Sequence, residues 1–122
     1  MEAIGFIHMK TDTVSKIKDN EQEKNIAIAK AEKSGMEAAR NTSLLVPLLH
    51  DTELLSVDVR AFVFPNGIEV KSIIRSASQS GVEVEALTAV CAALLTLFEH
   101  FKAVDTSLVV SDIKILRRTI IV

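Results

Sequence analysis

The stretch from Gly81 to Asp105, GVEVEALTAVCAALLTLFEHFKAVD, constrains the fold more than any other part of this chain. Its middle, Ala86 to Phe98, interrupts an apolar run only with Thr88 and Thr96, while Glu83, Glu85, Glu99, His100 and Lys102 stand at its ends. A helix apolar all the way round must be covered on every side. The apolar middle is shorter than the roughly 20 residues that a bilayer span requires. The segment is therefore expected to lay one face on the chain's own sheet and another on a second subunit. Its charged ends would then lie at the margin of a subunit contact, where pockets form.

The 122 residues predict a single domain, 1–122, with enough chain for a core and little to spare. An apolar fraction of 48% and a charged fraction of 25% are those of an ordinary soluble globule. The net charge of −2 gives no electrostatic case for nucleic acid or a membrane surface as partner. Tyr and Trp are absent, which argues against base stacking on a sheet. The one cysteine, Cys91, lies inside the apolar helix and reads as a small buried hydrophobe. The opening MEAIGFIHMK has no basic start followed by a long apolar run, so no secretory signal is read there and the cytoplasm is the expected compartment.

Along the chain, Ala3 to Met9 alternates and predicts a strand. Thr11 and Asp12 are expected to cap a short helix through Lys18, with Asp19 to Lys24 as a surface link. Asn25 to Lys30, NIAIAK, reads as a second strand, and Ala31 to Leu45 as a helix stopped by Pro47. Leu54 to Phe64 and Ile68 to Ser76 alternate on either side of Pro65-Asn66-Gly67 and predict a hairpin. In its first strand Leu55, Val57, Val59, Ala61 and Val63 share one face, and Ser56, Asp58 and Arg60 the other. Ser76 to Ser80 is a polar loop able to cap the long helix, and Leu108 to Leu116 is the last strand. The order β-α-β-α-β-β-α-β, with helices on one face of a mostly antiparallel sheet, predicts an α+β sandwich of ferredoxin-like type. The apolar tail Thr119 to Val122 lacks cover in so small a domain and is a second pointer to a homo-oligomer.

Three segments, GVEVEALTA (81–89), LTLFEHFKA (95–103) and VPLLH (46–50), together resemble the molybdenum-cofactor biosynthesis protein C family, the cyclic pyranopterin monophosphate synthases. That family's helix reads GVEMEALTA and continues LTIYDMCKA, after a segment reading LIPLCHP. Gly35 to Thr42, GMEAARNT, is similar to its GIMAAKRT. The resemblance implies a ferredoxin-like subunit, a hexamer built as a trimer of dimers, and active sites at subunit interfaces. It further implies rearrangement of a GTP-derived cyclic nucleotide intermediate to cyclic pyranopterin monophosphate with loss of pyrophosphate, and no metal or organic cofactor.

Glu85 and Glu99 are fourteen positions apart and so project from nearly the same helix face, about 21 Å apart along the axis. Either they meet opposite ends of a long ligand, or each site combines the two ends from different subunits. Lys102 follows Glu99 by three residues and is within side-chain reach of it. By composition alone it is a helix C-terminal lysine favoured by the dipole. The family pattern makes it a catalytic acid or base, a role that suits a lysine whose pKa burial lowers. Glu99 stands at the family's Asp, and His50 at its histidine, a ligand for phosphate or base; by itself His50 reads as a loop or core residue. Glu83 and Glu85 match the acidic pair expected to hold the guanine-like edge or ribose, although acids in a first helical turn also complement the dipole. Arg40 stands at the family's Lys and keeps a positive charge for phosphate; otherwise it is a solvated helix position.

Two departures stand out. The family's second catalytic lysine lies in a KGDV-like segment, and ungapped comparison puts Gln22 there, so that Lys24 serves only if the loop is shifted by two residues. The family's C-terminal KSGGKSG is replaced by Arg117-Arg118-Thr119 and an apolar end, with Arg118 aligned to one basic residue. These departures motivate a second reading, a catalytically degenerate relative acting as an oligomeric purine-nucleotide-binding module, and a third, a purely structural oligomer.

Overall fold

The computed structural model describes residues 1–46, 53–77 and 81–118. The elements run β1 (Glu2–His8), α1 (Thr11–Asp19), α2 (Glu21–Arg40), α3 (Thr42–Leu45), β2 (Leu54–Phe64), β3 (Gly67–Ser76), α4 (Glu83–Phe101) and β4 (Val109–Arg117). The strands form one sheet in the order β2-β3-β1-β4, with every neighbouring pair antiparallel. Both long helices pack on one face of it, α4 on β1, β3 and β4 and α2 on β2. This is the expected α+β, ferredoxin-like sandwich.

One expected strand is absent: Asn25 to Lys30 is helical and lies inside α2, as does the supposed surface link Glu21 to Lys24. The alternation of Ile26 and Ile28 with Ala27 and Ala29 imitates a strand. The i, i+4 row Ala27, Ala31, Gly35 and Ala39 decides otherwise, because a stripe of small residues lets α2 lie close against α4. A Cβ on Gly35 would come 2.8 Å from the Ala89 carbonyl oxygen and 3.0 Å from Val59. Asn20, read as link, is the N-cap of α2 and accepts the Glu23 amide at 3.1 Å. The expected helix 31–45 ends at Arg40 and is followed by the single turn of α3.

The hairpin forms as the sequence predicts, closed by Pro65-Asn66 with Phe64 opposite Gly67. Gly67 has φ +153°, and a Cβ there would meet the Ile7 carbonyl oxygen, so only glycine fits. Val57, Val59, Ala61 and Val63 turn inward, but Leu55 does not. A register irregularity between Leu54 and Ser56 places Leu54 against the core and leaves Leu55 62% exposed. Ala61 on this edge strand donates its amide to Glu32 of α2 at 3.1 Å, and Ser72 of β3 donates to the Ala86 carbonyl of α4 at 2.8 Å. At the other edge β4 bulges at Asp112, whose φ of 58° is the left-handed conformation that Asp tolerates. The Ser111 hydroxyl bonds Asp112 at 3.0 Å and His8 at 2.9 Å beside it.

The start of α1 does not use the expected cap. α1 begins after Lys10 with no capping side chain of its own. One of its first amides is met from outside by Asp105, which accepts the Lys10 amide at 2.9 Å and the Thr13 hydroxyl at 2.8 Å, and also both the amide and hydroxyl of Ser107. Burial opposes the charge on this carboxylate, but the hydrogen bonds from Ser107, Lys10 and Thr13 outweigh it and hold its pKa well below the usual carboxylate range. α4 begins after Val82, again without a side-chain cap, and Glu83 and Glu85 in its first turn face the positive end of the helix dipole. Residues 78–80 of the loop expected to cap it, and the tail 119–122, lie outside the described residues.

With 19 residues, α4 is longer than its apolar middle and by length and hydropathy alone could cross a membrane. Here Ala86, Ala89, Val90, Ala93, Leu94 and Leu97 are instead buried in the chain's own core. A second flank is covered from within the chain by α2, where Ser34 meets Thr96 at 2.9 Å. Leu95 and Phe98 remain exposed on α4, as do Phe62 and Phe64 of β2.

Candidate active site

The charged residues singled out in the sequence fall at the two ends of α4. At the C-terminal end, Lys102 is the C-cap residue, its amide bonded to the Phe98 carbonyl at 2.9 Å. Its Nζ lies 2.8 Å from Glu99 Oε2 one turn back, with the side chains 54% and 72% exposed. An exposed pair of this kind contributes about 0–1 kcal/mol. Either partner can therefore exchange the other for a ligand at little cost. Among the described residues nothing covers the Lys102 ammonium beyond this pair.

The first turn of α2 packs against this end. Glu23 Oε1 accepts from, or pairs with, His100 Nε2 at 2.7 Å, and the His100 side chain is only 18% exposed. The helical course of α2 also bears on Lys24 and Gln22. Because 21–40 is one helix and not a loop, Lys24 is placed by its helical face rather than by a loop shift: it stands at i−3 and i−7 from Ala27 and Ala31, on the stripe that faces α4. Gln22 is exposed, whereas Lys24 is half-buried. Beyond this turn Lys30, Ser34, Thr96, Glu99 and His100 border an open groove of about 490 Å³.

At the N-terminal end of α4, Glu85 is 4% exposed, and its Oε1 has no hydrogen-bond partner among the described residues. A buried carboxylate oxygen without a donor is costly, so in a native structure such a group calls for a partner such as a ligand, a water or an ion. Glu83 is half-buried, with Arg118 Nε 3.9 Å from its Oε1, a loose pair. α2 runs antiparallel to α4, with Glu23 by His100 and Gly35 by Ala89, so Arg40, its exposed last residue, lies toward this second end. His50, with the rest of 47–52, lies outside the described residues. Cys91 is half-buried on α4 and burial pushes its thiol up, which keeps it protonated and unreactive.

Within one chain, then, the structure joins Lys102 with Glu99, brings Lys24 to the same end through α2, and sets Glu83, Glu85, Arg40 and Arg118 at the opposite end. Glu23 and His100 are the residues that sequence reasoning passed over as site components. Their pairing across 77 positions follows only once 21–40 is recognised as helix.

A cyclic pyranopterin monophosphate synthase of Thermoanaerobacter sp. (strain X514) is 36% identical over 119 residues, 96% of this chain and 75% of that protein. Cyclic pyranopterin monophosphate synthase 2 of Mycobacterium tuberculosis (strain H37Rv) is 40% identical over 116 residues, 95% of this chain and 70% of that protein. The synthase of Peptoclostridium acidaminophilum is 34% identical over 113 residues, 93% and 72% of the two chains. The model of the MoaC family matches residues 1–120, which include both ends of α4 and the whole sheet, and the chain belongs to that family.

Proposed function

We propose that this protein is a lyase of molybdenum cofactor biosynthesis that converts a cyclic dihydro-GTP intermediate to cyclic pyranopterin monophosphate with release of pyrophosphate. The observation that carries the proposal is the Lys102–Glu99 pair at the end of α4, set in a chain whose relatives of that name match it over nearly its whole length. Lys102 is the acid or base, with Glu99 holding its ammonium, and Lys24 on the α4-facing stripe of α2 is the second lysine. Glu85, with its unused carboxylate oxygen, and Glu83 hold the guanine-like edge or ribose; Arg40, Arg118 and His50 take the phosphates. The two ends of α4 are too far apart to meet one reacting atom, about 21 Å by helical rise between Glu85 and Glu99. That separation supports sites shared between subunits; the assembly we propose is a hexamer, a trimer of dimers, in the cytoplasm, with residues 1–122 as the catalytic domain. A second subunit and the substrate would also supply the desolvation that Lys102 lacks in the isolated chain. The test is pyrophosphate release from the cyclic intermediate by pure protein. Turnover that falls about a hundredfold or more in Lys102→Ala is expected; a wild-type protein that binds the intermediate without turning it over overturns the proposal.

A further inference from the structure

We infer that Glu23 and His100 form a clasp that positions Lys24, making His100 a positioning residue for the reaction; the inference rests on the lysine roles proposed above. His100 stands where the family segment LTIYDMCKA has Met, a side chain that cannot form this bond. Its Nε2 meets Glu23 Oε1 at 2.7 Å, short enough for a charge-assisted hydrogen bond, and its ring lies edge-on to Phe101 at 4.8 Å. The contact lies at the surface, with Glu23 50% exposed and the His100 side chain 18% exposed.

What the clasp holds is the first turn of a helix, the part most prone to fray because its amides have no partners within the helix. Here Asn20 satisfies the Glu23 amide and its carbonyl accepts the Lys24 amide at 3.0 Å, which fixes the backbone of this turn to itself but not to α4. Below this turn the stripe facing α4 is close-packed small residues, Ala27, Ala31 and Gly35, with Ser34 bonded to Thr96 at 2.9 Å, whereas the first turn itself lies beyond that packing. Glu23 to His100 is therefore a polar tie that holds the α2 start against the α4 end, beyond the close packing at Gly35. Lys24 is the next residue after Glu23, and Lys102 is two after His100, so a change at the clasp is felt first in the separation of the two lysines.

The experiment is a double-mutant cycle on single-turnover rates in the full chain, with wild type, His100→Met, Lys24→Ala and the pair. If His100 acts through Lys24, His100→Met lowers the rate about tenfold with KM changed less than twofold, and adds nothing in the Lys24→Ala background. His100→Gln, which keeps a nitrogen donor for Glu23, recovers most of the rate. Amide exchange in the first turn of α2 is faster in His100→Met than in wild type. Should His100→Met fail to fold, Glu23→Ala breaks the same contact from the exposed side. An unchanged rate, an equal loss with and without Lys24, or unchanged exchange each overturns the inference while leaving the synthase reading standing. Absence of wild-type turnover removes that reading and this inference with it.

Discussion

Lys102 Nζ lies 2.8 Å from Glu99 Oε2 across one turn of α4, yet both side chains stay more than half exposed. A pair so placed does little for the fold and is free to act on a ligand. Lys102→Ala is expected to lower turnover by about 10²–10⁴ while the denaturation midpoint reflects a change within about 0.5 kcal/mol. Parallel rate and chemical-denaturation measurements check both halves; a large loss of stability would mean that the pair is structural.

Glu85 presents the opposite balance. Its carboxylate is buried with one oxygen unpartnered among the described residues, so it weighs on stability until something binds. Glu85→Gln is expected to leave thermal stability unchanged or raised, and to weaken binding of the cyclic intermediate about tenfold or more. Calorimetric titration and a melting curve on the same sample decide it.

Asp105 gives a pH prediction. Its carboxyl is held well below its unfolded value, so the stability it contributes is fully present above the ordinary carboxylate value of about 4 and is lost as pH falls below that toward the folded value. Asp105→Asn is expected to cost about 2–4 kcal/mol at neutral pH through the lost acceptors for Lys10, Thr13 and Ser107. The gap between the two proteins narrows in denaturation curves taken below pH 4.

Gly35 sets the spacing between α2 and α4. Gly35→Val is expected to destabilise by about 1–3 kcal/mol, because its side chain must push the Ala89 backbone or Val59 aside. The loss should appear in urea midpoints, and a neutral result would mean that the two helices separate more readily than their packing implies.

The sequence shows most plainly what depends on neighbours in the chain. The hairpin 54–76 is written in alternation and a turn, and α4 in its apolar middle and acidic start. Asn25 to Lys30 misleads because two isoleucines two apart imitate a strand, and the small residues that fix it as helix have meaning only against α4. Leu55 faces outward because of a bulge that no residue type announces. At the site, the Lys102–Glu99 pair is legible as an i, i+3 spacing, whereas Glu23–His100 joins residues 77 apart and depends on the helix that alternation concealed.

The Asp105 carboxylate has a consequence for the order in which the chain takes shape. It closes the first turn of α1 from a position 95 residues downstream. Contacts of such separation are costly to form early, because the intervening loop must close first. Local preference alone leaves the Lys10 amide without this acceptor. On a ribosome the start of α1 therefore waits until Asp105 has been made, and the helix is finished well after its own residues have emerged.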